Sequence, residues 1–413
     1  MSILQRLIMA GIIIAATFVQ TSPASTVVVG GCKSGPQYST IQDAVNHSSA
    51  GGTIDVCPGT YAEQVSINIS LTLTGVPNGT VDSIVITPPT GGMVQNASDL
   101  YDGSAIAAQI VVLGGATVNL SNLTIDGTNN QISGCGPDFM GIYYQNSSGK
   151  INYVVTRNQA LSANLNGCQS GEGIFVESGY GSGGTATVTI ENSSVHGYQK
   201  NGITADGSGT AATITGNYVV GQGPTTGAAE NGIQISDGAT GKVTSNEVVD
   251  DVYTGGIYGA SGILVYDSGS LTIASNTVSD TQYGIVVFSD GTLNADNNTI
   301  SGNHISATHL DDGIDLCSNG NTVKSNFVSA SDASGIHIDS TCSEGGNPTG
   351  NNTTVSGNTV NEACAGVLLG NGTGNTIGAN SLFSVGEKTF KGDSCPGGDD
   401  QYGRRPKRIA VRR

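Results

Sequence analysis

Three of the five histidines, His304, His309 and His337, fall in one stretch of 36 residues together with Asp311, Asp312, Asp315 and Asp339. A carboxylate beside an imidazole raises its basicity and fixes its tautomer, and paired carboxylates separate their pKa values so that one serves as acid and the other as base. Such a set suits hydrolysis of a glycosidic bond, or proton abstraction from a sugar ring. Asp311, Asp312, Asp315 and His337 are therefore the candidate acid, base and orienting groups, and His309, Asp339, Tyr253 and Tyr258 the candidate substrate contacts. A metal is the alternative use of the same residues: Asp311, Asp312 and Asp315 would hold Ca²⁺ through oxygens, whereas adding His309 and His337 favours a transition metal. No cofactor is demanded, and Ca²⁺ is the one the carboxylates would admit. The simpler reading is that outward Asp and His residues on a solvated face serve solubility, since clustered titratable groups are only a statistical sign of function.

The elements that would position these groups are repeats. The pattern Gly, apolar, any, apolar recurs at Gly141, Gly173, Gly202, Gly232, Gly262, Gly284, Gly313, Gly335 and Gly366, in steps of 32, 29, 30, 30, 22, 29, 22 and 31 residues. Periods in this range mark a solenoid, here a coil of 22 residues with insertions. Within each copy the alternation is that of a strand with one buried face, and no helical period is present. A second signature places Asn158, Asn192, Asn217, Asn246, Asn276, Asn298, Asn326, Asn358 and Asn380 before an apolar residue. Stacked asparagines hydrogen-bond along a parallel ladder, so these are read as structural. The outward positions of the Gly repeat are neutral or apolar in most coils. The exception is a polar island on two consecutive coils, where Asp315 should neighbour His337 one rung of about 4.8 Å away. Leu264, Tyr266, Val286 and Phe288 would form an apolar stripe there, which the Glu247–Ser261 loop with Tyr253 and Tyr258 is expected to cover. Long loops before the repeat glycines stack on one side and would wall a groove.

Composition bounds the setting. Arg6 precedes a thirteen-residue apolar run, Leu7–Val19, and small residues near Ala24, which reads as a signal peptide over residues 1–24 and is too short to span a membrane. The even count of eight cysteines in an exported chain favours disulfides. Their sequential separations approximate one coil, so the expected pairs are Cys32 with Cys57, Cys135 with Cys168, Cys317 with Cys342, and Cys364 with Cys395. Between Ser25 and Gly403 all 32 acidic residues meet only eight Lys and Arg, a formal charge of −24. That surface repels nucleic acid. Six further basic residues sit in Arg404–Arg413, and the tail 396–413 reads as a solvated, disordered segment. The chain is thus expected to be a secreted or cell-envelope monomer without a transmembrane segment.

The opening YSTIQDAVNHSSAGGTIDVCPGTYAEQVSINISLTLTGV, from Tyr38, is similar to the entry of the pectin-lyase-like superfamily, with Thr40 capping a short helix that carries Ile41, Ala44 and Val45 on one face. The resemblance implies an all-β, right-handed, single-stranded parallel β-helix over residues 25–395, with a capping region at 38–75 including that helix and coils over about 80–385. The superfamily holds lyases, hydrolases, esterases, epimerases and adhesins, so it implies architecture and not activity. Asp311 and Asp312 resemble the Asp-Asp pair of polygalacturonases, and Gly335-Ile336-His337 keeps part of their Gly-His-Gly element, while their Arg-x-Lys is missing from the repeats. His337-Ile338-Asp339 is similar to a short element of mannuronan epimerases. The leading expectation is a protein that engages extracellular polysaccharide and hydrolyses it through the island. The alternatives are a non-catalytic adhesive rod, and a polysaccharide lyase or epimerase.

Overall fold

The computed structural model describes residues 25–181, 183–256, 258–341, 349–395 and 408–409. The expected signal peptide, Cys342 and all of the basic tail except Arg408–Ile409 lie outside these residues. The chain folds as a right-handed parallel β-helix. A typical coil lays down three strands, Asn201–Asp206, Thr210–Thr215 and Tyr218–Val220, before the next begins at Asn231. Each strand pairs in parallel with its equivalent one coil on, so that Ile203 faces Ile233, Ile214 faces Val243 and Val219 faces Val248. Among the described pairings only Ala97–Ser98 against Ala105–Val112 is antiparallel.

The repeat glycine opens the strand of what we call the front sheet. Residues one and three after it point inward: Ile203, Ala205, Ile233, Ile235, Ile263 and Val265 are at most 1% exposed and belong to one continuous core. Burying each large aliphatic side chain contributes about 2 kcal/mol, which short strands without helical support require. Close stacking dictates the glycine. A Cβ at Gly173 would lie 2.5 Å from Val195 Cγ1 and 2.7 Å from the Gly202 carbonyl oxygen. At the N-terminal end, helix α1 (Ile41–Asn46) adds Ile41, Ala44 and Val45 to the core. Thr40 Oγ1 accepts from the Asp43 N–H at 3.1 Å, and the Glu63 carboxylate accepts the N–H groups of Ile41 and Gln42 at 2.8 and 2.9 Å. Disulfides join Cys32 to Cys57, Cys135 to Cys168 and Cys364 to Cys395, as their spacing predicts. Cys317 is also disulfide-bonded.

A ladder of asparagines runs inside one corner of the coils, through Asn217, Asn246, Asn276, Asn303, Asn326, Asn358 and Asn380. Asn276 is typical: its Nδ2 donates to Val243 O and Asn303 Oδ1, and its Oδ1 accepts from the Asn246 N–H and Nδ2, all at 3.0 Å. Three members of the sequence signature are not in this ladder. Asn158 and Asn192 take left-handed turns at φ 61° and 48°, and Ser193 occupies the ladder position, its N–H donating to Asn217 Oδ1 at 3.1 Å. Asn298 serves another corner, accepting from Leu271 N–H at 2.8 Å, and Asn303 fills the position expected of it.

The outward positions of the front sheet, expected to be solvated, are covered. Thr204, Gln234, Leu264, Val286, Asp315, His337 and Leu368 are all buried. At the N-terminal end the 98–101 segment lies across them, with Gln145 Nε2 donating to Ser98 O and the Leu100 N–H donating to Glu177 at 3.0 Å. The expected apolar stripe is buried too, as a cluster of Leu264, Tyr266, Val286 and Phe288 with Tyr283 and Cys317. The loop tyrosine meant to cover it, Tyr253, packs elsewhere with Ala229 and Ala260, and Tyr258 is exposed.

Replacing Asn276 by Ala removes four hydrogen bonds and leaves the Asn246 N–H without an acceptor. The expected cost is about 3 kcal/mol, read as a lowered urea midpoint at unchanged m-value. A midpoint within error of wild type would show that the ladder does not hold the coils.

Candidate functional site

Near the C-terminal end of the front sheet, the strand Ile314–Cys317 pairs with Ile336–Ile338 and sets Asp315 opposite His337. Asp312, just before the repeat glycine, reaches the same place. Its Oδ1 accepts from the Ser334 N–H at 2.8 Å and the Ser334 hydroxyl at 2.6 Å, and its Oδ2 lies 3.2 Å from His337 Nδ1. Asp315 Oδ1 lies 3.7 Å from that same nitrogen. All three residues are buried, His337 being only 3% exposed. Two atoms at this junction, Asp315 Oδ1 and His337 Nε2, are buried and make no hydrogen bond.

The charges follow from this packing. Burial alone would lower the basicity of His337, but the hydrogen bond and charge of Asp312, with the charges of Asp315 and Asp339, raise its pKa to about 10. Burial pushes the Asp315 carboxyl well above the usual range, and the charges of Asp339, Asp312 and Asp311 push it further, against the pull of His337. Burial thus favours the protonated form of both side chains, the neutral form for Asp315 and, through its carboxylate neighbours, the charged form for His337.

The other expected site residues divide. Asp339, on the rung of His337, lies at this junction, with its Oδ1 held by the Thr341 N–H at 2.6 Å and hydroxyl at 2.8 Å. Asp311 turns to the adjoining corner, where its Oδ2 accepts from Gln282 Nε2 at 3.0 Å. His309 is half exposed and faces Asp280 at 3.5 Å. Tyr253 and Tyr258 stand on the loop before Ser261, and Tyr258–Gly259 pairs with Arg408–Ile409. For a metal, Asp312, Asp315 and His337 each bring a ligand atom within 4.8 Å of the others, as do His337, Asp339 and Asp393. Asp311, part of the expected Ca²⁺ set, belongs to neither group. The disulfide at Cys317 rules out a thiolate ligand there.

A second group of buried acids was passed over in the sequence, although it sits at outward positions of two consecutive repeats, GIFVE and GITAD. Glu177 accepts from the N–H groups of Leu100 and Tyr101 and from Tyr143 Oη, and Asp206, its neighbour on the next rung, accepts from Ser236 Oγ and Tyr180 Oη. Burial, then the charges of Asp99 and Asp206, raise the Glu177 pKa to about 8. Four rungs separate Asp206, the nearer of the two, from Cys317, about 19 Å at the usual spacing, so the two groups cannot act on one bond.

Comparison with known proteins agrees with the fold. A family model described as a right handed beta helix region matches residues 225–382. No curated protein matches the chain in sequence. Among solved structures, the chain is similar to the A-module of the mannuronan C-5 epimerase AlgE4 of Azotobacter vinelandii, at 14% identity over 90% of this chain and 95% of that one, with a TM-score of 0.54. It is similar to the alginate lyase AlyF-OU02, solved in complex with G6, at 12% identity over 90% and 86%, with a TM-score of 0.54. A GH136 lacto-N-biosidase from Eubacterium ramulus matches at 11% identity over 87% and 68%, with a TM-score of 0.57. At these identities the likeness is one of fold. No helix among the described residues is long and apolar enough to cross a membrane, and the three described disulfides belong to a non-cytoplasmic, oxidising compartment.

Two stability measurements check the protonation states. Burial disposes the Asp315 carboxyl to keep its proton, so Asp315→Asn is expected to change stability by less than about 1 kcal/mol, whereas Asp312→Asn disturbs the hydrogen-bonded partner of buried His337 and should cost about 3 kcal/mol; equal losses would contradict the assignment. For Glu177, the folded state binds the proton up to about pH 8, while the unfolded chain releases it near pH 4.5. Stability should therefore fall as pH rises through that window. Glu177→Gln should flatten part of the fall in urea midpoint between pH 5 and pH 8, and an unchanged slope would refute the shift.

Proposed function

We propose that this protein is a secreted glycan-processing β-helix, a glycoside hydrolase acting on extracellular polysaccharide at the Asp312, Asp315 and His337 junction. The observation that carries the reading is the pair of buried polar atoms without hydrogen bonds, Asp315 Oδ1 and His337 Nε2. Leaving such an atom unmet costs about 1–3 kcal/mol, and folds retain that cost where a ligand or a reaction supplies the missing partner. Asp315, disposed by burial to hold its proton, donates it to the glycosidic oxygen as the bond to the anomeric carbon breaks. Asp312, positioned by Ser334, takes the proton of the attacking water. His337 lies between them and stabilises the negative charge of both carboxylates as protons move. The carbohydrate enzymes that share the fold, an epimerase, a lyase and a biosidase by their names, support a saccharide as substrate class.

Purified mature protein should release reducing ends from at least one member of a panel of neutral and acidic polysaccharides. Asp315→Asn should lose about 100-fold or more in kcat, the usual range for a general acid. Products absorbing as unsaturated uronates would replace hydrolysis by elimination. No turnover on any polymer, with Asp315→Asn unchanged in glycan binding, would leave the front sheet as the wall of a structural rod.

A further inference from the structure

We propose that His337, Asp339 and Asp393 form a binding site for a divalent transition-metal ion, of the Zn²⁺ or Mn²⁺ class, at the C-terminal end of the front sheet. Each residue brings one ligand atom within 4.8 Å of the other two, a spacing that one cation bridges with bonds of about 2.0–2.5 Å. The His337 ring keeps one nitrogen free of hydrogen bonds. Asp312 holds Nδ1 at 3.2 Å, which leaves Nε2 on the far side of the ring, buried and without a partner. A carboxylate on one imidazole nitrogen that fixes the tautomer and presents the other is the usual outer support of a metal-binding histidine.

The carboxylates are oriented as well. Asp339 is fixed through Oδ1 by Thr341, and Asp393 through Oδ1 by the Ser340 hydroxyl at 3.0 Å, with a long contact of 3.5 Å from Asn371 to its Oδ2. The donor set is one imidazole nitrogen and two carboxylate oxygens, which suits a first-row divalent ion and leaves coordination positions open for water or a ligand hydroxyl. Asp312, Asp315, Asp339 and Asp393 put four carboxyl groups around one imidazole, so a dication offsets an excess of negative charge. Asp393 follows the strand Ser381–Lys391 and precedes Cys395, whose disulfide to Cys364 tethers this segment. The ion thus ties the last coil to the front sheet. An ion at Nε2 takes the place of the imidazolium proton, so the metal-bound form and the hydrolytic form proposed above are alternative states of His337, and metal binding can be tested whether or not the junction cleaves a glycan.

The test is metal binding by the whole mature protein after EDTA treatment and removal of the chelator, by calorimetry and thermal unfolding with Zn²⁺, Mn²⁺ and Ca²⁺. One equivalent of Zn²⁺ or Mn²⁺ should bind and raise Tm, more strongly than Ca²⁺. Asp393→Asn, which lies outside the proposed hydrolytic groups, should weaken binding at least 10-fold without lowering the metal-free Tm, and His337→Gln should do the same if it folds. Asp315→Asn should bind as wild type does. Absence of binding to wild type, or binding lost in Asp315→Asn and kept in Asp393→Asn, overturns the proposal.

Discussion

Parallel stacking of equivalent residues, one rung every 4.8 Å or so, is the constraint from which the rest of this molecule follows. It demands glycine where neighbouring coils touch, as at Gly173, and aliphatic columns inside. It also lets a single asparagine per coil satisfy the backbone of the corner it turns. The same stacking builds the candidate site. Asp315 and His337 meet because they occupy one column on consecutive rungs, and Asp312 joins them from the column beside it, next to Ser334. A site made this way inherits its precision from the ladder and needs no dedicated scaffold.

The cover over the front sheet changes the character of that chemistry. On an open face, Asp315 and His337 would titrate as ordinary side chains in water. Under cover, desolvation raises the Asp315 pKa while the surrounding carboxylates raise that of His337, so burial favours the protonated form of both. The Glu177 and Asp206 pair shows the same effect at the other end of the sheet, and its hydrogen bonds to the 98–101 segment tie it to the cover itself.

The periodic features were legible in the sequence because repetition amplifies them: the coil length, the inward columns, three cysteine pairs, and the adjacency of Asp315 and His337. What was not legible depends on non-repeating segments. Burial of the outward columns comes from excursions such as 98–101, whose path no period encodes. Asn298 fits the ladder signature as well as its neighbours do, and only the register of the insertion reveals that Asn303 holds the position. Asp311 was grouped with Asp312 by adjacency, yet successive side chains part at this corner and Asp311 turns to Gln282. Glu177 and Asp206 carried a visible signal, two acids on consecutive repeats, which the histidine cluster outweighed.

The central claim is that the island is kept for chemistry at a cost in stability. The flanking rungs supply the control, since Val286 and Leu368 occupy the column of Asp315 and His337, and Ser334 follows Asp312 in its own. The direct measurement is the unfolding free energy of the combined variant Asp312→Ser, Asp315→Val, His337→Leu, which continues both columns with their neighbours' residues. A gain of about 1–4 kcal/mol is expected, as when a buried ionic cluster is replaced by well-packed apolar groups. A loss of that size would contradict the claim and make the island a structural element of the coil.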